Sequence, residues 1–357
     1  MEYRTLGKSG LQVSVISFGG MRIPNVSDET AYKAVNRAID LGINFFETAP
    51  GYGDSERKIG LSLGKRRKDI FLSTKTNNCS ADAFRKKLDE QLKRLQTDYL
   101  DFYQMWYVNS QEEFEQVIAP GGLLEGAQRA RKEGIVKHIG ITTHAPNAAV
   151  RNMINSGLFE SITIYHNLFK QEYAEEIKLA HEKNMGVVIM GPLNGGILGD
   201  KGEKFNFLQR GKAKSNAVGA LRWLVGNPEI STAIVGIDTP EHAEEVVLAG
   251  DMYEDIKNTN DVELLSKEAE KFKNVSKDGC CTWCQYCKEC PAGLNIWEIM
   301  DLHTVMKIYG TLDTCREKYS KMKKKADLCT ECGKCDERCP QHLRPMEQLK
   351  KAHQKFN

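Results

Sequence analysis

Gly42-Ile43-Asn44-Phe45-Phe46-Glu47-Thr48-Ala49-Pro50-Gly51-Tyr52-Gly53 reads as one turn of a repeating unit. A glycine stands where a helix should stop, Asn44–Phe46 makes a short apolar strand, and Glu47 and Tyr52 follow at the strand's end. The unit recurs along residues 1 to about 250. The other strand-like runs are Val13–Phe18, Ile70–Ser73, Tyr99–Met105, His138–Ile141, Ser161–Ile164, Gly186–Met190 and Thr232–Val235. Helical stretches lie between them. Ser27-Asp28-Glu29, Ser80-Ala81-Asp82 and Pro240-Glu241 open three of these with acids in the first turn, and Gly134 and Gly186 are further stops. Eight strands, each followed by a helix, predict an α/β fold of the (β/α)8 barrel type rather than an open sheet. No G-x-G-x-x-G follows any strand, which counts against a dinucleotide-binding Rossmann sheet. Leu6-Gly7-Lys8-Ser9-Gly10-Leu11, before the first strand, reads as a hairpin turn capping the barrel floor.

The chain has 357 residues and a net charge of +2, enough for one large and one small domain and too little charge to favour nucleic acid or a membrane surface. Its apolar runs are far too short to span a bilayer, and Met1-Glu2-Tyr3-Arg4 has no charged-then-apolar leader. A soluble, cytoplasmic protein is expected. The barrel should occupy residues 1–250 and a charged, helix-prone linker 251–276, with Glu263 to Phe272 as its helix. A second, cysteine-rich domain should occupy 277–357, with a helix over Ile296–Met306. Lys318 to Lys325 holds five lysines, read as a solvated face or as a dock for an acidic electron carrier.

Ten of the eleven cysteines lie in this last part. Eight form two runs, Cys281-x2-Cys284-x2-Cys287-x2-Cys290-Pro291 and Cys329-x2-Cys332-x2-Cys335-x3-Cys339-Pro340. The second is the bacterial ferredoxin ligand pattern, and the first differs by one residue before its last cysteine. Two 4Fe–4S clusters are therefore expected. The distant Cys-Pro of such a run ligates the other cluster, giving Cys281, Cys284, Cys287 with Cys339, and Cys329, Cys332, Cys335 with Cys290. Zinc is the rival metal for close thiolates, but paired triplets ending in Cys-Pro fit cubanes better. Disulfides fit poorly with a single cysteine, Cys79, in the rest of the chain. Cys280 competes with Cys281 as a ligand; Cys315 and Cys79 read as buried thiols.

Barrel active sites sit at the C-terminal ends of strands. Those ends are Gly20-Met21, Glu47 with Tyr52, Lys75, Trp106, Thr142-Thr143-His144, Asn167, Gly191-Pro192-Leu193 and Gly236. Tyr52 and Lys75 make a proton-delivery pair: an ammonium close to the phenol should lower its pKa, and Glu47 would hold Lys75 as counter-ion.

At these residues the chain resembles the aldo/keto reductase family. Gly42 to Gly53 with Ser55-Glu56 is similar to the segment around the family's catalytic aspartate and tyrosine, and Ser73-Thr74-Lys75 to its lysine strand. Leu92 to Asp101, Gly134 to Ile141 and Pro192-Leu193-Asn194-Gly195-Gly196 resemble further family segments. The likeness runs from Met1 to about Gly250, and the cysteine tail is similar to the ferredoxin-like extension of one branch. The resemblance implies an NAD(P)H-dependent barrel enzyme acting on a small carbonyl or alcohol. It also carries the tetrad Asp, Tyr, Lys, His onto Glu47, Tyr52, Lys75 and Trp106. Two of the four depart. Trp106 is the sharper change, since an indole has one donor, no acceptor and no proton to relay.

On the cofactor side the resemblance puts Thr142 and Asn167 near the nicotinamide carboxamide, with Tyr165 in place of a glutamine. It puts the phosphates at Gly191 to Gly196. Asp238, after Gly236, would repel a 2′-phosphate, and Val246 replaces an adenine-binding asparagine, so a preference for NADP is not expected, and NAD or weak nicotinamide binding is. The leading expectation is an oxidoreductase using NAD(P)H, the clusters, or both. The alternatives are a nicotinamide-independent redox enzyme, a degenerate barrel serving as electron-transfer subunit or sensor, and an ordinary reductase with clusters as structural staples.

Overall fold

The computed structural model describes residues 1–77, 79–199, 203–251, 260–272 and 280–357. Two short strands, β1 (Tyr3–Thr5) and β2 (Gln12–Ser14), pair antiparallel, Tyr3 opposite Ser14. Eight parallel strands then close a barrel: β3 (Ile16–Gly19), β4 (Phe45–Glu47), β5 (Phe71–Thr76), β6 (Leu100–Met105), β7 (Val136–Thr142), β8 (Ser161–Tyr165), β9 (Gly186–Met190) and β10 (Thr232–Gly236). They follow chain order, and β10 pairs β3 to complete the ring. The expected run Val13–Phe18 divides in two. Its first residues belong to the hairpin and its last to the barrel wall.

The hairpin explains the floor. Leu6 is fully buried with Val13, Phe45, Phe102, Val188 and Ile234, an apolar plug inside the bottom of the barrel. Gly186 opens β9 rather than closing a helix, and a Cβ there would stand 2.5 Å from the Leu6 side chain. Gly42 and Gly134 do end helices, at φ 87° and 79°.

The outer helices follow their start signals. Ser27 caps α1 (Asp28–Asp40) by accepting from the Thr30 amide at 3.1 Å, and Ser80 caps α3 (Ala81–Leu95) from the Ala83 amide at 3.3 Å. Between them α2 (Ser55–Leu63) carries Glu56, whose buried carboxylate accepts from Thr74 Oγ1 at 2.7 Å and Arg94 Nε at 2.7 Å. That bond ties α2 to β5, the lysine strand.

Of the segment expected as linker, 252–259 and 273–276 lie outside the described residues, as do 277–279 of the second domain. Its helix, Asp261–Glu270, packs on the barrel: Trp223 Nε1 donates to Ser266 Oγ at 2.8 Å, and Phe272 stacks on Phe207. The C-terminal part is helical, with Ile296–Tyr309, Leu312–Ser320 and Pro345–Phe356 around Ile299, Cys315, Tyr319, Leu349 and Phe356. The Lys318–Lys325 stretch is largely exposed. Among the described residues no helix is long and apolar enough to cross a membrane.

Candidate active site and cluster cavities

At the mouth, β4 and β5 end side by side and bring Glu47 and Lys75 together. Both are buried, at 5 % and 3 % exposure, and they form an ion pair. Lys75 Nζ also donates to the Thr48 carbonyl at 3.2 Å and lies 4.6 Å from the centre of the Tyr52 ring. Here the structure corrects an expectation. Tyr52 is not eased towards phenolate. Burial first, then the neighbouring Tyr286 and Cys284, drive its pKa well above that of a free phenol. The reason is geometric: Lys75 faces the ring rather than the hydroxyl, so it does not offset the loss of water. Burial likewise pulls Lys75 well below the ordinary lysine range, against the pull of Glu47.

Trp106 directly follows β6; its amide donates to Thr76 O at 2.8 Å, and its indole stands edge-on to Tyr52 at 6.2 Å. Gly51 makes the room. A Cβ there would lie 2.4 Å from the indole.

The residues matched to the nicotinamide carboxamide are engaged within the chain. Thr142 Oγ1 accepts from the Tyr107 amide at 3.0 Å, and Thr143 Oγ1 from the Ala145 amide at 2.9 Å. Asn167 donates to Gly191 O at 2.9 Å and accepts from the Phe169 and Lys170 amides. Tyr165 donates to Asn194 Oδ1 at 2.9 Å, its ring filling the place a Gly191 side chain would need. Pro192 is buried beside it and Leu193 packs on the core.

Towards the other rim, Gly20 accepts from Ser55 Oγ at 2.8 Å, and Met21 is exposed. Gly236 lies against Arg22, whose Nη2 also lies near Gly196. Asp238 is bonded to His242 Nδ1 at 2.6 Å, and Val246 is in the core. Arg22 thus lies between the two glycine loops, a placement that its position in the sequence gives no hint of.

The cysteines ring two cavities. One is lined by Cys281, Cys284, Cys287 and Cys339; the other by Cys290, Cys329, Cys332 and Cys335 together with Cys287, which lines both. Among the described residues no three His, Cys, Asp or Glu groups converge on a single-ion site; four thiols around each cavity suit a cubane. Burial pushes Cys284 up to about 11, and Cys287 and Cys335 to about 12. Bare thiols here would stay protonated, and cluster iron is what would hold them as thiolates. Cys280 packs into the barrel core while Cys281 lines the first cavity. Cys315 donates to Leu302 O, and Cys79 lies half-buried against the barrel.

The first cavity lies against the barrel mouth. Tyr286, between two of its cysteines, meets Trp106 at 6.3 Å and Tyr107 edge-on at 5.3 Å, and the Thr282 backbone lies against Gly195. Tyr107, at φ 62°, donates its hydroxyl to Arg338 O at 3.2 Å. Sequence reading missed all of these contacts; the one signal was an aromatic residue inside a ligand loop.

The aldo/keto reductase family model matches residues 15–265, and a 4Fe-4S dicluster domain matches residues 280–344. The chain belongs to the aldo/keto reductase family. It is 28 % identical over 302 residues to the uncharacterized oxidoreductase YrpG of Bacillus subtilis, covering 70 % of this chain and 91 % of that one. It is 28 % identical to L-galactose dehydrogenase of Arabidopsis thaliana over 283 residues, 70 % of this chain and 88 % of that one. The holo form of aldo-keto reductase AKR11C1 from Bacillus halodurans shares the fold at TM-score 0.63 and 23 % identity, over 75 % of this chain and 96 % of that one. This family member is an oxidoreductase with a dicluster domain at its C-terminal end.

Proposed function

We propose that the protein interconverts a small carbonyl compound and its alcohol at the barrel mouth. The Tyr52 phenol gives the proton to the carbonyl oxygen, and electrons pass through the neighbouring cluster site. The observation that carries this reading is the seating of the Cys281–Cys287 loop on Trp106 and Tyr107, with Trp106 against Tyr52. A purely structural staple would not need its ligand loop at the catalytic strand ends.

Carbonyl reduction consumes two electrons and two protons: Tyr52 would give one proton to oxygen, and carbon would take its hydrogen with both electrons as a hydride from NAD(P)H, or as a solvent proton where single electrons come by way of a cluster. When bound, a cubane supplies single electrons and NAD(P)H a hydride. Cys281, Cys284, Cys287 and Cys339 would hold one cluster, and Cys290, Cys329, Cys332 and Cys335 the other. The protein's own part is positional. Tyr52 stays protonated through the physiological range and can donate to an oxygen. Glu47 fixes Lys75 against the Tyr52 ring, which holds the phenol in place. The substrate reading draws on the L-galactose dehydrogenase relative, whose name gives a small polyhydroxylated compound.

The second reading, a nicotinamide-independent enzyme fed by an electron carrier, is favoured by the committed side chains of Thr142 and Asn167 and by Thr282 against Gly195. The protein would be cytoplasmic, its domains meeting within the 251–276 segment. Anaerobic titration of the iron-loaded protein with NADH and NADPH, read by fluorescence and by EPR, tests both. Nicotinamide binding with cluster reduction supports the first reading, and clusters reduced only by dithionite or a reduced carrier support the second. Clusters silent at every accessible potential would defeat both.

A further inference from the structure

The barrel supplies one phenol at its mouth and, where the family resemblance puts a histidine, an indole that cannot accept or relay a proton. We infer that Tyr286, carried on the cluster-ligand loop, gives the substrate oxygen its second hydrogen-bond donor, so that the pocket is complete only with the dicluster domain seated. This rests on the proposed role of Tyr52 and deepens it.

Tyr286 is held where such a donor is needed. Its loop is pinned ahead of Tyr286: the Cys281 amide donates to Thr304 Oγ1 at 3.1 Å, and Trp283 donates to Asp301 Oδ1 at 2.6 Å while packing on Trp297 at 4.6 Å. Trp283 and Gln285 both take positive φ, 56° and 59°. Bulky side chains rarely adopt that conformation, and two such residues bend the loop into the mouth. There the Tyr286 ring meets Trp106 at 6.3 Å and Tyr107 at 5.3 Å, while Trp106 meets Tyr52 at 6.2 Å. Tyr107 is anchored in turn, its amide on Thr142 Oγ1 and its hydroxyl on Arg338 O, so it bridges barrel and dicluster domain.

The donor logic follows. The Trp106 indole packs edge-on against the Tyr286 ring at 6.3 Å and against the Tyr52 ring at 6.2 Å, so it stands between the two phenols. Trp106 in this reading does not replace a histidine; its ring contact orients the group that does. Two phenols from two domains would then flank one oxygen above the Glu47–Lys75 pair, a pair of donors aimed at developing charge.

The test uses anaerobically reconstituted full-length protein, with NADH or reduced methyl viologen as electron source and glyceraldehyde and methylglyoxal as probes. Tyr286→Phe keeps the ring and removes the donor. Its kcat should fall roughly 10²-fold, as loss of one oxyanion donor does, with KM, iron content and cluster EPR signals close to wild type. Adding Trp106→His to that variant should restore part of the loss. Wild-type kcat in Tyr286→Phe, with Tyr52→Phe inactive, would overturn the inference and leave the role of Tyr52 standing. Turnover surviving in Tyr52→Phe, or no turnover of either probe by wild type, would bring down that role and the inference with it. Iron loss in Tyr286→Phe would make the residue a scaffold of its loop, which also overturns it.

Discussion

At the floor of the barrel, Leu6 comes down from a hairpin a few residues long onto Val13, Phe45, Phe102, Val188 and Ile234. At the mouth, Thr282 and Tyr286 arrive from the far end of the chain and settle on Gly195, Trp106 and Tyr107. The floor is apolar and locally encoded, so burial alone secures it. The mouth is aromatic, ionic and thiol-lined, and it is assembled from two domains. If the mouth carries the proposed chemistry while the floor serves stability, substitutions at each should separate those two quantities.

The largest separation should come from Tyr52→Phe. Removing the proposed general acid should cost about 10²- to 10⁴-fold in kcat while thermal unfolding and iron content stay near wild type. Steady-state kinetics beside an iron assay measure it. Cys339→Ser should act on the mouth from the other domain. It removes one of the four thiols around the first cavity, so iron per chain should fall to about half and electron exchange with the pocket should cease. If both EPR signals vanished together, the two cavities would be one cooperative unit.

Leu6→Ala is the converse. It empties a fully buried side chain and should cost about 2–5 kcal/mol of stability, seen in anaerobic denaturant titration, with KM unchanged. A change in KM would mean that the floor is felt at the mouth.

The floor and the barrel wall were legible because periodicity and turn signals act locally. Gly42 and Gly134 stop helices, Ser27 and Ser80 cap them, and Leu6 to Leu11 turns the hairpin. The gathering of the cysteines was equally legible, since the two spaced runs line the two cavities. Glu47, Lys75 and Tyr52 converge as strand-end logic requires. What could not be read was everything that depends on how one domain sits on the other. Tyr286 on Trp106 is such a contact, as is Thr282 on Gly195. The raised proton affinity of Tyr52 follows from the same cause, because no local pattern reports how much water the second domain removes. Arg22 was hidden for a related reason: nothing near it in sequence shows that Gly195 and Gly236 flank it.

Acid should expose a further difference. His166, in the barrel wall, is buried, stacks on Trp223 at 5.6 Å, and its Nδ1 has no hydrogen-bond partner among the described residues. Burial lowers its pKa from 6.5 to about 4. The unfolded chain therefore takes up this proton first. Stability should be undiminished above pH 6.5 and fall as pH drops from 6.5 towards 4, by up to ~3 kcal/mol from this group. His166→Phe should flatten that part of the anaerobic stability–pH curve; an unchanged slope would place the sensitivity in the clusters.

The smallest effect asked for is the most local. Gly195 has φ 74°, and a Cβ there would stand 2.7 Å from the Thr282 Cα. Backbone atoms cannot swing aside as a side-chain tip can, so Gly195→Ala meets both a left-handed conformation costing about 1–2 kcal/mol and a blocked contact. The dicluster domain must then lift slightly off the mouth, while the barrel, whose core lies elsewhere, keeps its melting temperature. Hydrogen exchange should quicken in residues 280–287 and stay unchanged in the hairpin at the floor. Equal quickening at both ends would mean that the two closures are coupled through the barrel wall, and the division between a stable floor and a chemical mouth would have to be given up.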